Sequence, residues 1–142
     1  MIAVACDEDG VVALDVAEGQ RNDAPLAKAV LIEARDAVGT VRDVLGDKGF
    51  DSDAVRDVIL DDLDALPVIP NRKNRKEPWP WDDEMREIYK QRNRVEWAFA
   101  KAKQFRRFAT RYEKLKDVYL GVARLVFGFI HVRKLAGTVN TT

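Results

Sequence analysis

The chain of 142 residues has one cysteine, Cys6, and one histidine, His131. A single cysteine excludes an intrachain disulfide and a cysteine-rich zinc site. Cys6 closes the apolar run Ile2 to Cys6, where a free thiol behaves as a small hydrophobe. His131 falls in the apolar last helical segment and reads as a core or capping histidine rather than a ligand. Long hydrophobic runs are missing too. The most apolar stretch, Leu120 to Val132, holds Arg124 and His131, too short and too charged to span a bilayer. No positively charged leader precedes an apolar run, so a cytoplasmic protein is expected. There is no glycine-rich phosphate loop, repeat or low-complexity segment.

Formal net charge is zero, which by itself argues against a nucleic-acid partner. Its distribution argues the other way. Residues 1–70 hold 6 Lys/Arg against 16 Asp/Glu, residues 71–116 hold 15 against 7, and residues 117–142 hold 3 against 1. An acidic half can supply metal ligands while a basic half meets phosphates. The length suits a single domain with a real core.

Hydropathy patterning predicts the order β-β-α-β-α-β-α-α. Ile2–Cys6 and Val11–Ala17 are β-branched runs separated by Asp7-Glu8-Asp9-Gly10, a hairpin signal. A helix opens at Ala24-Pro25 with Asp23 as N-cap and Gly39 as stop. Val41–Gly46 reads as a short strand ending at Asp47, and Ser52 or Asp51 caps a helix reaching about Leu63. Leu66–Pro70 is a further strand, its prolines favouring an edge. Residues 71–81 form a basic loop rich in Lys, Arg and Pro; its Trp79 and Trp81 read as cover for a core edge. A long helix runs from Asp82 or Asp83 to about Phe108, and a last helix, residues 115–135, is apolar on most sides and expected to be buried.

The long helix carries the chemistry. Tyr89, Arg92, Glu96 and Lys103 have the spacing Y-x2-R-x3-E-x6-K. At about 100° per residue, the last three fall within about 40° of arc beside Tyr89. The apolar residues Ile88, Val95, Ala98, Phe99, Ala102 and Phe105 fill the neighbouring arc. A core-packed helix would then hold one carboxylate, two cations and a phenol along the edge of its buried face. That layout suits a metal ligand flanked by phosphate contacts. An i,i+4 ion pair between Arg92 and Glu96 is compatible with it.

These residues resemble insertion-sequence DDE transposases of the IS-five group. The Tyr89–Lys103 stretch fits that group's Y-x2-R-x3-E-x6-K signature at every defined position. Gly46-Asp47-Lys48-Gly49-Phe50-Asp51 is similar to its strand-end signature A-D-x-G/A-Y-D, with Gly46 for Ala and Phe50 for Tyr. Phe105 to Lys114 resembles the F-R-R-x-A-T-R-Y-D-K run that follows. The resemblance extends weakly to Glu18 to Asp23 and covers most of residues 2–135.

The resemblance implies a ribonuclease-H-like α/β fold in which residues 1–142 form a partial catalytic domain. Such folds begin with three antiparallel strands, and two precede the first helix here, so the first strand and its catalytic Asp are expected to be missing. Asp47 and Glu96 are the implied catalytic, metal-binding carboxylates for Mg²⁺ or Mn²⁺, with Asp7 as stand-in for the third. Tyr89, Arg92, Lys103, Arg106, Arg107 and Arg111 are the implied DNA contacts, with Arg72, Lys73, Arg75 and Lys76 of the basic loop either phosphate contacts or a solvated face. The implied activity is metal-dependent DNA strand cleavage and transfer in transposition, incomplete or inactive in this chain alone. DNA, further copies and a full-length or upstream-frame transposase are the implied partners. Two other readings compete: a non-catalytic regulator that binds DNA or the transposase, and an unrelated ribonuclease-H-like nuclease.

Overall fold

The computed structural model describes residues 2–6, 11–16, 23–109 and 115–139. Strands β1 (Ile2–Cys6) and β2 (Val11–Val16) pair antiparallel. Their register jumps from Ala5↔Ala13 to Cys6↔Val11, leaving Val12 as the extra residue of a bulge. The bulge sorts the side chains: Val12 and Ala13 face one cluster, Val11 and Leu14 the other. Both faces of the hairpin are covered as a result.

Helix α1 (Asp23–Val38) covers the first face with Leu26, Val30 and Ala34, which recur at helical spacing. Gly39 ends it at φ +86° and donates its N–H to Arg35 O at 2.8 Å. Strands β3 (Asp43–Leu45) and β4 (Leu66–Val68) pair in parallel and are shorter than their hydropathy suggests. Pro67 is tolerated because Leu66 N–H and Val68 C=O make the bonds to β3, so position 67 faces the other edge. The crossover between them is α2 (Asp53–Asp57), capped by Ser52, whose Oγ accepts the Val55 N–H at 3.3 Å. It continues through a π-turn, Val58–Asp62, and leaves through Asp64 at φ +52°. Ile59, Val55 and Leu63 pack there against Ala27 of α1 and Ile69.

The long helix expected from residue 82 to 108 is segmented. Asp82 caps α3 (Asp83–Tyr89) through the Met85 N–H at 2.8 Å. A 3₁₀ turn, Lys90–Arg92, links it to α4 (Asn93–Ala102), and a turn separates α5 (Arg106–Ala109). Helix α6 (Lys116–Val139) is longer than expected and less buried. Tyr119, Ala123, Val126 and Phe127 pack with Leu14, Ala102 and Phe108 on the hairpin's second face. Leu125 and Val132, by contrast, are 76% and 62% exposed, which overturns the expectation of burial on most sides. The architecture is α/β, with helices on both faces of the β1–β2 layer. Among the described residues no helix is long and apolar enough to cross a membrane.

Candidate functional site

Asp47 lies two residues beyond the end of β3, at the head of a 3₁₀ turn over Lys48–Phe50. Its Oδ1 accepts the Gly49 N–H at 2.7 Å. A Cβ at residue 49 would stand 2.7 Å from that same oxygen, so glycine is what lets the carboxylate fold over its own turn. Asp47 remains exposed.

Arg72, from the basic loop, clamps this turn from behind. Its guanidinium donates to Lys48 O at 2.9 Å and to Gly49 O. Its backbone N–H donates to Asp51 at 2.6 Å. Asp51 is itself buried, bonded by Arg56 through Nε at 3.0 Å and the guanidinium terminus at 2.9 Å, and by Arg75 at 2.9 Å. Burial pushes the Asp51 carboxyl up; the Arg72 backbone bond and the Arg56 and Arg75 cations outweigh it and hold it below the usual carboxylate range. Arg56 is buried as well, donates to Ile69 O at 2.7 Å and lies over the Trp79 ring, 5.0 Å from its centroid. Asn71 exchanges two 2.9 Å hydrogen bonds with the Trp79 backbone. The basic loop is therefore docked. Arg72 and Arg75, which the sequence offers as phosphate contacts, are structural ties, while Lys73 and Lys76 stay exposed. In the sequence Asp51 reads as a candidate helix cap; its place in the strand-end signature is the signal for more.

Around the 3₁₀ turn Lys90–Arg92, three of the signature side chains, Tyr89, Arg92 and Glu96, come together. Arg92 lies over the Tyr89 ring at 5.4 Å and also pairs with Glu96. Trp81 meets the same ring edge-on at 5.4 Å between centroids. Burial raises the Tyr89 phenol above its ordinary value; Arg92 pulls it down, and Asp47 and Glu96 each push it up. Two carboxylates from elements far apart in the chain thus act on one phenol. Lys103 closes α4, exposed, with its N–H bonded to Phe99 O at 2.9 Å. It stands at the helix end rather than inside a continuous helix. Arg106 is exposed on α5. Arg107 belongs to the same helix, with a side chain outside the described set, and Asp7 and Arg111 lie outside the described residues.

Asp47 and Glu96 offer hard oxygen donors of the kind Mg²⁺ takes. Among the described residues no three His, Cys, Asp or Glu side chains are grouped to hold an ion. His131 packs beside β2 with its Nδ1 buried and no hydrogen-bond partner among the described residues.

Comparison with known proteins sets this geometry in context. The model of the family described as "Transposase DDE domain" matches residues 1–127. A Brucella ovis protein named "Putative transposase for insertion sequence element IS6501" is 30% identical over 115 residues, which is 81% of this chain and 83% of the relative. No solved structure matches.

Proposed function

The chain belongs to the DDE transposase family, and we propose that it is the Asp47- and Glu96-bearing portion of a catalytic domain of the IS-five group, built on a ribonuclease-H-like plan. The observation that supports this reading is the placement of Asp47 just beyond β3 and of Glu96 beside Arg92 and Tyr89, all within the stretch that the family model matches. Both carboxylates would hold Mg²⁺ or Mn²⁺. The ion would supply Lewis-acid stabilisation of charge developing on the phosphoryl oxygens. Arg92 restrains Glu96 beforehand through their ion pair. The raised phenol of Tyr89 stays protonated at neutral pH, so its O–H can donate to a phosphate oxygen. Lys103, Arg106, Arg107 and Arg111 neutralise the backbone of DNA on either side. A third carboxylate comes from outside the described residues, with Asp7 as the candidate in this chain.

A second reading is a non-catalytic regulator that binds DNA or a complete transposase, which the excess of Lys and Arg over residues 71–116 would serve equally. One set of assays separates the two. Binding to duplex DNA is measured against salt, and Mg²⁺- or Mn²⁺-dependent nicking is measured on DNA carrying the element's own ends. The chain alone is expected to bind weakly and without sequence preference, with affinity falling steeply as salt rises. It is expected not to nick. Nicking lost in Asp47→Ala, Glu96→Ala and Asp7→Ala would show that Asp7 completes the site and remove the regulator reading. Nicking that survives Asp47→Ala and Glu96→Ala would overturn the site assignment.

A further inference from the structure

Helix α6 carries a second pattern on the side away from its core contacts. Val118, Gly121, Leu125, Gly128, Val132 and Leu135 follow one another at alternating spacings of three and four. On a helix they fall within an arc of about 100°, opposite Tyr119, Ala123 and Val126, which pack into the core. All six are exposed. The two glycines have no explanation inside the chain. A Cβ at residue 121 or 128 would meet nothing within 4 Å among the described residues, and neither glycine has a positive φ. Glycine in mid-helix lowers stability relative to alanine, so a stripe that keeps two of them is shaped by something that approaches from outside.

We propose that the stripe is the contact between two copies of the chain, whose α6 helices pack antiparallel about a two-fold axis between residues 126 and 127. The spacing is the a/d repeat of a coiled coil, with Val118, Leu125 and Val132 at a and Gly121, Gly128 and Leu135 at d. In an antiparallel pair each a position meets a d position of the other copy. Leu125 then sits over the partner's Gly128, Val132 over the partner's Gly121, and Val118 against the partner's Leu135. Large side chains meet glycines, and the backbones can approach. A parallel pair would instead stack Gly121 on Gly121 and Leu125 on Leu125, layers that require different helix separations. The antiparallel order also brings Asp117, near one end of α6, towards the partner's Lys134, near the other. Arg124 alone approaches its own mate, and Glu33 of α1 lines the hollow beside it. Val118, Leu125, Phe129, Val132 and Leu135 are each 44% exposed or more. Covering them in both copies removes roughly 1,000 Å² from water, the lower bound for a specific association. The pair is therefore weak, and at low micromolar concentration the chain is a monomer. The inference rests on α6 alone, not on the metal reading of Asp47 and Glu96.

Sedimentation equilibrium of the unaltered chain is expected to show a monomer–dimer equilibrium with Kd on the order of 100 µM. Leu125→Lys should weaken it by about tenfold or more, while its urea midpoint, read at low micromolar concentration, stays that of the parent. Orientation is read by air oxidation of single-cysteine variants in a Cys6→Ala background. Phe129→Cys, beside the axis, is expected to form a covalent dimer. Val118→Cys, about 25 Å from its mate along the antiparallel pair, is expected not to. A chain that stays monomeric up to about 500 µM overturns the proposal. So does a dimer indifferent to Leu125→Lys, or one that Val118→Cys cross-links, since that pairing is parallel. None of these failures alters the response of Tyr89 to metal.

Discussion

The guanidinium of Arg92 lies over the ring of Tyr89, 5.4 Å from its centroid, and pairs at the same time with Glu96. Cation, ring and carboxylate are therefore coupled, and the phenol reports on the charges around it. Asp47 and Glu96 both raise it. A divalent ion held between them would neutralise those charges and add its own. Ionisation of Tyr89, followed by NMR of its labelled ring, is expected to shift to lower pH when Mg²⁺ is added. The shift should vanish in the Asp47→Asn/Glu96→Gln double variant. A phenol indifferent to Mg²⁺ in the parent chain would remove the shared-ion assignment.

Gly49 and Arg72 act on Asp47 through the turn that carries it. A methyl at residue 49 would collide with Asp47 Oδ1, the far end of a side chain that can swing aside. Gly49→Ala is therefore expected to change stability by roughly 1 kcal/mol or less while weakening Mg²⁺ binding severalfold. Arg72→Ala removes the two bonds to the carbonyls of residues 48 and 49. It should weaken Mg²⁺ binding too, with Arg72→Lys recovering only part, since one ammonium cannot reproduce the fork. Calorimetric titration alongside thermal melts distinguishes displacement of Asp47 from general unfolding.

The Asp51 carboxylate is buried between three arginine contacts and its ionisation is held at low pH. Its folded value lies below its unfolded one, so its contribution to stability is complete above the ordinary carboxylate value near 4. That contribution is lost as pH falls through the folded value. Asp51→Ala leaves Arg56 buried and without its carboxylate, at a cost of about 3–5 kcal/mol at pH 7. The penalty should shrink as the pH is lowered towards 2 in urea melts. A pH-independent penalty would mean that shape, not charge, is what Asp51 provides.

Hairpin, first helix and crossover were legible because each is written locally. Two β-branched runs flank the acidic sequence Asp7-Glu8-Asp9-Gly10, Gly39 stops α1, and Ser52 caps α2. The signature stripe was legible for the same reason: Arg92 and Glu96 are one helical turn apart. What escaped depends on contacts distant in sequence. Nothing near Arg72 or Arg75 says that the carbonyls of Lys48 and Gly49 will engage the first guanidinium and Asp51 the second, instead of leaving both to phosphate. The break after Ala102 is also tertiary. Phe105 reaches Phe129 and Phe108 stacks with Tyr119, anchoring a chain that periodicity alone would continue as helix. The separation of the strands into two pairs could not be read from hydropathy, which gives each strand its faces but not its neighbours.

Helix α6 was read as apolar on most sides, and its two faces now make opposite predictions. Val118, Leu125, Phe129 and Val132 share one exposed stripe, whereas Ala123, Val126 and Phe127 face the hairpin and α4. Lysine at an exposed position keeps its charge in water, so Leu125→Lys and Val132→Lys should each change stability by about 0.5 kcal/mol or less. Together they break an apolar patch of the kind that drives association, and solubility should rise. Phe127→Ala instead empties a site 4% exposed that meets the rings of Phe99 and Phe108. Its cost is expected at about 3–5 kcal/mol. Urea melts of the three variants decide the matter. A large loss from Leu125→Lys would show that the stripe is covered in solution and that α6 is buried after all.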